Sequence, residues 1–138
     1  MKTVAIDFDG VIHSYTKGWQ DGSIYDTEVK GALTAILKFK EKGWSVYILS
    51  TRNPYQIKKW LENLQNIHYM FQKEAKLSFK VIPWWMFWKK FWSGENKIAI
   101  TQKKLAAHIY IDDRAYKFTG FWDNATFKEI VEFKTYQQ

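Results

Sequence analysis

Four short, largely apolar runs constrain this chain more than anything else in it: VAI at 4–6, WSVYIL at 44–49, KIAI at 97–100 and HIYI at 108–111. They are nearly continuous rather than alternating, the pattern of strands buried on both faces of a parallel sheet. Between them lie stretches with helical spacing. Val29, Leu33, Ile36 and Leu37 share one face of a helix that the pattern starts at Thr27 and Glu28 and ends at Gly43. Asn53 and Pro54 open a second helix, with Ile57, Trp60, Leu61 and Leu64 on its inner face. Toward the C-terminus Asp123 or Asn124 caps a third, whose Phe127, Ile130 and Val131 are expected to face inward. Strands alternating with helices predict an α/β fold: a Rossmann-like three-layer sandwich around a central, mostly parallel sheet with right-handed crossovers. The 138 residues suit one domain, 1–138, long enough to bury a core.

In such sheets the ligand crevice lies outside the carboxyl ends of the strands. Asp7 and Asp9, Ser50 and Thr51, and Asp112 and Asp113 all stand at such ends. Because strand side chains alternate, Asp7 and Asp9 point the same way while Phe8 turns to the opposite face. Two carboxylates held that close repel each other. A fold keeps them only if a cation, a shared proton or a reaction compensates the repulsion.

Taken in order, DFDGV, ILST, a lysine and YIDD resemble the haloacid dehalogenase superfamily, whose members are mostly magnesium-dependent phosphatases. ILSTRN and YIDDRA are similar to the small, nearly capless members common in bacteriophage genomes. The resemblance runs from residue 4 to about residue 118 and leaves out 70–96. It implies that Asp7 attacks phosphorus and forms an aspartyl phosphate, dividing one hard displacement into two easier ones. It further implies a Mg2+ ion held by the Asp7 carboxylate, the backbone carbonyl of Asp9, and Asp112, with Asp113 binding directly or through water. Asp9 would protonate the leaving alcohol and then take a proton from water, which requires a pKa raised by its neighbours. Ser50, with Thr51 beside it, would hydrogen-bond the phosphoryl oxygens, and Lys104 would stabilise their charge, Lys103 being the alternative. Tyr15, Lys17 and Trp19 fall in a turn-rich segment that the resemblance places as a flap over the site. His13 just past the nucleophile turn is expected to be exposed, Arg114 is as well suited to pair with a local carboxylate, and His68 and His108 lack metal-ligand spacing.

The stretch 70–96 contains VIPWWMFWKKFW. At 100° per residue, Trp84, Trp85, Phe87, Trp88, Phe91 and Trp92 fall on one arc of about 160°, with Met86, Lys89, Lys90 and Ser93 opposite, so the spacing predicts a short amphipathic aromatic helix over 84–92. Such a helix could pack on the core, cover the site, join two copies into a homodimer, lie on a membrane surface or stack on nucleobases. Nearly all of the net charge of +7 lies between Lys73 and Lys104, where eight lysines face two acids. That excess suits anionic partners, and a nucleotide or phosphorylated nucleic-acid end is the favoured substrate over a sugar phosphate. The alternative is a low-turnover binding module that sequesters a phosphorylated ligand or engages a membrane or partner through the aromatic stretch. With no cysteine there is neither a disulfide framework nor a thiolate nucleophile. No apolar leader or run of roughly 20 residues appears, so a cytoplasmic location is expected, in the host if the chain is phage-encoded.

Overall fold

The computed structural model describes residues 2–72, 77–93 and 96–133. Its strands are β1 (Thr3–Asp7), β2 (Ser45–Leu49), β3 (Ser78–Ile82), β4 (Lys97–Thr101) and β5 (Ile109–Ile111), and its helices α1 (Ala32–Glu41), α2 (Pro54–Gln72) and α3 (Asn124–Val131). The five strands form one parallel sheet in the order β3-β4-β2-β1-β5. From β1 the chain moves outward in one direction through β2, and β5 then returns to the other side of β1. The strand order therefore reverses between β1 and β5, where open α/β sheets place their ligand crevice. This is the expected Rossmann-like α/β sandwich.

Alternation along the strands divides the core in two. On one face Val4, Ile6, Val46, Ile48, Ile98 and Ile100 pack against Ile36 of α1 and Ile57 and Leu61 of α2. Each such side chain taken from water contributes about 1.5–3 kcal/mol. On the other face Ala5 and Ala99 flank Tyr47, and the small residues leave room for its ring beside Ile82, Trp92 and Leu105. The Tyr47 hydroxyl donates to the Leu105 carbonyl at 2.5 Å and accepts from the Leu105 N–H at 3.0 Å. That pair anchors the loop after β4 to the sheet. Burial pushes the Tyr47 phenol well above its ordinary pKa, so it stays a neutral donor.

Several local expectations need correction. No helix spans 84–92: two successive turns carry the chain there, with Met86 N–H donating to Pro83 O and Lys89 N–H to Met86 O, both at 3.1 Å. On a helix Met86 and Trp92 would stand about 120° apart with Trp85 between them, yet both pack on the same core while Trp85 is exposed. Aromatic residues are also weak helix formers, and a short segment barely recovers the cost of nucleation. Of the supposed aromatic face only Trp92 is buried; Trp84, Trp85, Phe87, Trp88 and Phe91 are exposed. The aromatic surface is therefore presented by turns rather than by a helix face. Part of the stretch 70–96 is β3, an edge strand that pairs Ser78–Ile82 with Lys97–Thr101. Another part continues α2 to Gln72, and residues 73–76 and 94–95, with Lys73, Lys76 and Glu95, lie outside the described residues.

Helix α1 begins at Ala32 rather than near Thr27, because Gly31 adopts a left-handed φ of 84° and Glu28 caps the turn by accepting from the Leu33 N–H at 3.0 Å. At the C-terminal helix Asp123 is the cap, accepting from the Thr126 N–H at 2.7 Å. Phe127 and Val131 do not face inward there: both are exposed, and Thr126 is the buried residue of the helix. Among the described residues no helix is long and apolar enough to cross a membrane.

Candidate active site

Asp7 is the last residue of β1, and its Oδ1 accepts from the N–H of Phe8 at 2.9 Å. The β1–β5 register sets Ile6 beside Ile111, so the next residue on each strand brings Asp7 level with Asp112. Asp7, Asp112 and Asp113 each present a carboxylate oxygen, all within 4.8 Å of one another. Gly10 makes this approach possible. Its φ is +86°, and a Cβ there would stand 2.3 Å from Asp113 Oδ2.

Such a cluster is electrostatically costly by itself. Burial first, and then the neighbouring Asp112, push the Asp7 carboxyl up to about 7 against the hydrogen bond from Phe8. Burial and Asp112 likewise raise Asp113. Among the described residues, buried Asp113 Oδ1 has no hydrogen-bond partner. Three hard oxygen donors, one of them without a partner, fit a divalent cation such as magnesium or calcium. The donor set does not distinguish between such ions.

A cavity of about 540 Å³ opens over this cluster, lined by Asp7, Asp9, Asp112, Ser50, Thr51, Lys104, Tyr15, Trp19, Leu49, Gln102 and Arg114. A larger cavity of about 610 Å³ lies between the approach to α1 and α2, but it is away from the strand ends and centres on the Glu28–His68 pair. Chemistry rather than size selects the smaller one. Ser50 is buried; its N–H donates to Thr101 O and its Oγ accepts from the Arg52 N–H, both at 3.1 Å. Lys104 follows β4, on the loop anchored through Tyr47, with its ammonium 4.6 Å from the Tyr110 ring centroid. The ammonium of Lys103 instead donates to Phe87 O and does not line the cavity. Lys17 is exposed outside the cavity lining, its N–H donating to the Tyr25 hydroxyl at 2.7 Å.

Asp9 stands in different surroundings. Arg52 Nε donates to both of its oxygens, at 3.0 and 2.8 Å, and His13 Nδ1 lies 2.9 Å from Oδ1. His13 Nε2 accepts from the Asp26 N–H at 3.0 Å, which places the ring proton on Nδ1 and makes it a donor to Asp9. Burial alone would raise Asp9, but the His13 and Arg52 hydrogen bonds and the Arg52 charge outweigh it and hold the carboxyl below its ordinary value. The expectation of a raised Asp9 is therefore reversed in this conformation. His13 is fully buried rather than exposed, stacked on Phe8 with centroids 5.5 Å apart.

Arg52, two residues after Ser50 inside ILSTRN, carries no local pattern that marks it for the site. It is 2% exposed, donates through Nη1 to Gly22 O at 2.7 Å, and lies 4.5 Å from the Trp19 ring centroid and 5.6 Å from that of Tyr15. One guanidinium thus ties Asp9 to the 15–22 segment over the site. Of the other polar residues, Arg114 lines the cavity and its N–H donates to Asp112 Oδ1 at 2.8 Å, while His108 accepts from the Thr3 N–H at 3.0 Å. In comparisons with family models, curated proteins and solved structures, nothing matches the chain.

Proposed function

We propose that this protein is a divalent-cation-dependent phosphomonoester hydrolase of the haloacid dehalogenase type, working with magnesium through an aspartyl phosphate on Asp7. The observation that carries the reading is the acidic triad of Asp7, Asp112 and Asp113 at the point where the strand order reverses, two of whose members, Asp7 and Asp112, line a cavity with Ser50 and Lys104. Asp7, Asp112 and Asp113 would hold the ion. Bound there, it supplies the positive charge that keeps Asp7 ionised at neutral pH and offsets the phosphoryl dianion.

Asp7 then attacks phosphorus, forming the P–O bond as the ester oxygen leaves, and water afterwards releases phosphate and regenerates the carboxylate. Ser50 Oγ donates to the phosphoryl oxygens, and Lys104 balances the charge that builds on them. Asp9 is the proton carrier of this scheme. Ionised by Arg52 and His13, it suits the half-reaction that takes a proton from the attacking water. Protonating the leaving alcohol first requires it to part from Arg52. The test is phosphate release from a panel of nucleotides, sugar phosphates and phosphorylated oligonucleotides, with magnesium and after chelation. Magnesium-dependent release that Asp7→Asn abolishes is expected; release that survives either treatment would refute the assignment.

A further inference from the structure

Beside the acidic cavity lies a second cleft of about 340 Å³, walled by Tyr55, Pro83, Trp84 and Trp85 and edged by Asn53 and Gln102. Gln102 lines both cavities, so the two abut. Tyr55, Trp84 and Trp85 are 61%, 79% and 54% exposed, far too open to be core. Three large π faces on a loop and a helix start, left open to water beside a phosphoryl site, are the parts of a stacking platform.

The edges of the cleft are polar in a defined way. Gln102 Nε2 donates to Thr51 O at 3.2 Å and to Arg52 O at 3.1 Å, and among the described residues its amide oxygen takes part in no hydrogen bond. Asn53 Oδ1 accepts from the Tyr55 N–H at 2.9 Å, which leaves its amide N–H groups available. One spare acceptor and one spare donor group thus border the aromatic walls, as a base edge requires and an acyl chain does not. In sequence the cleft's Trp84 and Trp85 are followed by exposed Phe87 and Trp88 and then by Lys89 and Lys90.

We infer that the Tyr55–Trp84–Trp85 cleft is a base subsite and that the substrate class is a nucleoside phosphate, its base stacked there while its phosphoryl group lies at Asp7. This rests on the phosphatase reading for turnover but not for binding, and the experiment separates the two. kcat/KM would be compared for ribose 5-phosphate, a mononucleotide and a 5′- or 3′-phosphorylated oligothymidylate. Binding of unphosphorylated oligothymidylate would be followed by tryptophan fluorescence in the wild type and in Asp7→Asn. The nucleoside phosphates should exceed ribose phosphate by roughly 10-fold or more per stacked base. That ratio should collapse in the double variant Trp84→Ala/Trp85→Ala and, from a separate element, in Tyr55→Ala; all three residues are exposed, so the fold should persist, as circular dichroism would check. A mononucleotide as good as the oligomer means a free nucleotide substrate, and a better oligomer means a nucleic-acid end; both support the subsite. Absent turnover with oligonucleotide binding intact would refute the phosphatase reading and leave the subsite standing. Equal rates for ribose phosphate and nucleotides with no quenching by oligonucleotide would overturn the subsite, as would quenching by anionic phospholipid vesicles and not by oligonucleotide.

Discussion

Asp7 and Asp9 leave the same strand two residues apart, yet one sits among acids and the other among donors. Around Asp7 stand Asp112 and Asp113, and among the described residues Asp113 Oδ1 has no hydrogen-bond partner. Around Asp9 stand Arg52 and His13, which between them reach both of its oxygens. The first is displaced up to about 7 and the second downward, although both are partly buried. Spacing on a strand decides which side chains are neighbours; it does not decide their protonation. One carboxyl crowded by acids and another flanked by donors thus stand in the same cavity.

The sharpest way to break this contrast is to remove the Asp7 charge. Asp7→Asn should reduce phosphate release to background yet leave the fold intact and, without a divalent cation, somewhat more stable at pH 8, because a carboxylate crowded by Asp112 is gone. Thermal melts alongside the assay check both parts. A smaller loss follows at the other aspartate: Asp9→Asn should lower turnover of an alkyl phosphate by about 10²-fold or more while preserving magnesium binding. Its deficit should shrink on p-nitrophenyl phosphate, whose leaving group needs no proton. Equal deficits on the two esters would count against Asp9 as the leaving-group acid.

Arg52→Met tests what holds Asp9 in place. Losing the guanidinium should cost about 1–3 kcal/mol of stability in denaturant titrations, since Asp9 and Gly22 O lose donors. Its pH–rate profile should also move on the acid side, because Asp9 loses the charge that keeps its pKa low. A variant with reduced stability and an unshifted profile would mean that Arg52 only packs.

The contrast also shows in the pH dependence of stability. Asp7 titrates at about 7 in the fold and near 3.8 unfolded, so the folded state binds the extra proton between these values. Chelated protein should therefore lose stability as pH rises from about 4 to 7. Asp9 is shifted the other way, so its contribution is present above 3.8 and is lost as pH falls through its lower folded value. Millimolar magnesium should flatten the decline between pH 4 and 7 and leave the acid limb in place, as Tm measured across pH would reveal.

Much of this architecture is legible in the chain because burial on two faces leaves a local mark. VAI, SVYIL and KIAI are inner strands, and the polar residues just after them fall at one edge of the sheet whatever the rest does; IYI carries the same apolar pattern, but the expectation of burial on both faces fails there, because β5 is an edge strand with Ile109 and Tyr110 exposed. β3 was missed because an edge strand with Ser78 and Lys80 exposed carries little of that mark and exists through its pairing with β4. WWMFWKKFW misled for a related reason: periodicity reports which residues could share a face, and only the packed core decides that Met86 and Trp92 go in and the others stay out.

The sequence by itself therefore determined the parallel α/β plan and the placing of Asp7, Asp112 and Asp113 at strand ends along one edge of the sheet, since alternation and strand ends depend on a few neighbouring residues; the pairing of β5 with β1 that brings them together belongs to the tertiary structure. Only the tertiary structure decided the state of Asp9, whose partner Arg52 is 43 residues away, and the union of Tyr55 with Trp84 and Trp85 across one cleft. Protonation and recognition follow from the local field and from surfaces assembled by distant segments, and neither is written in the spacing of any one of them.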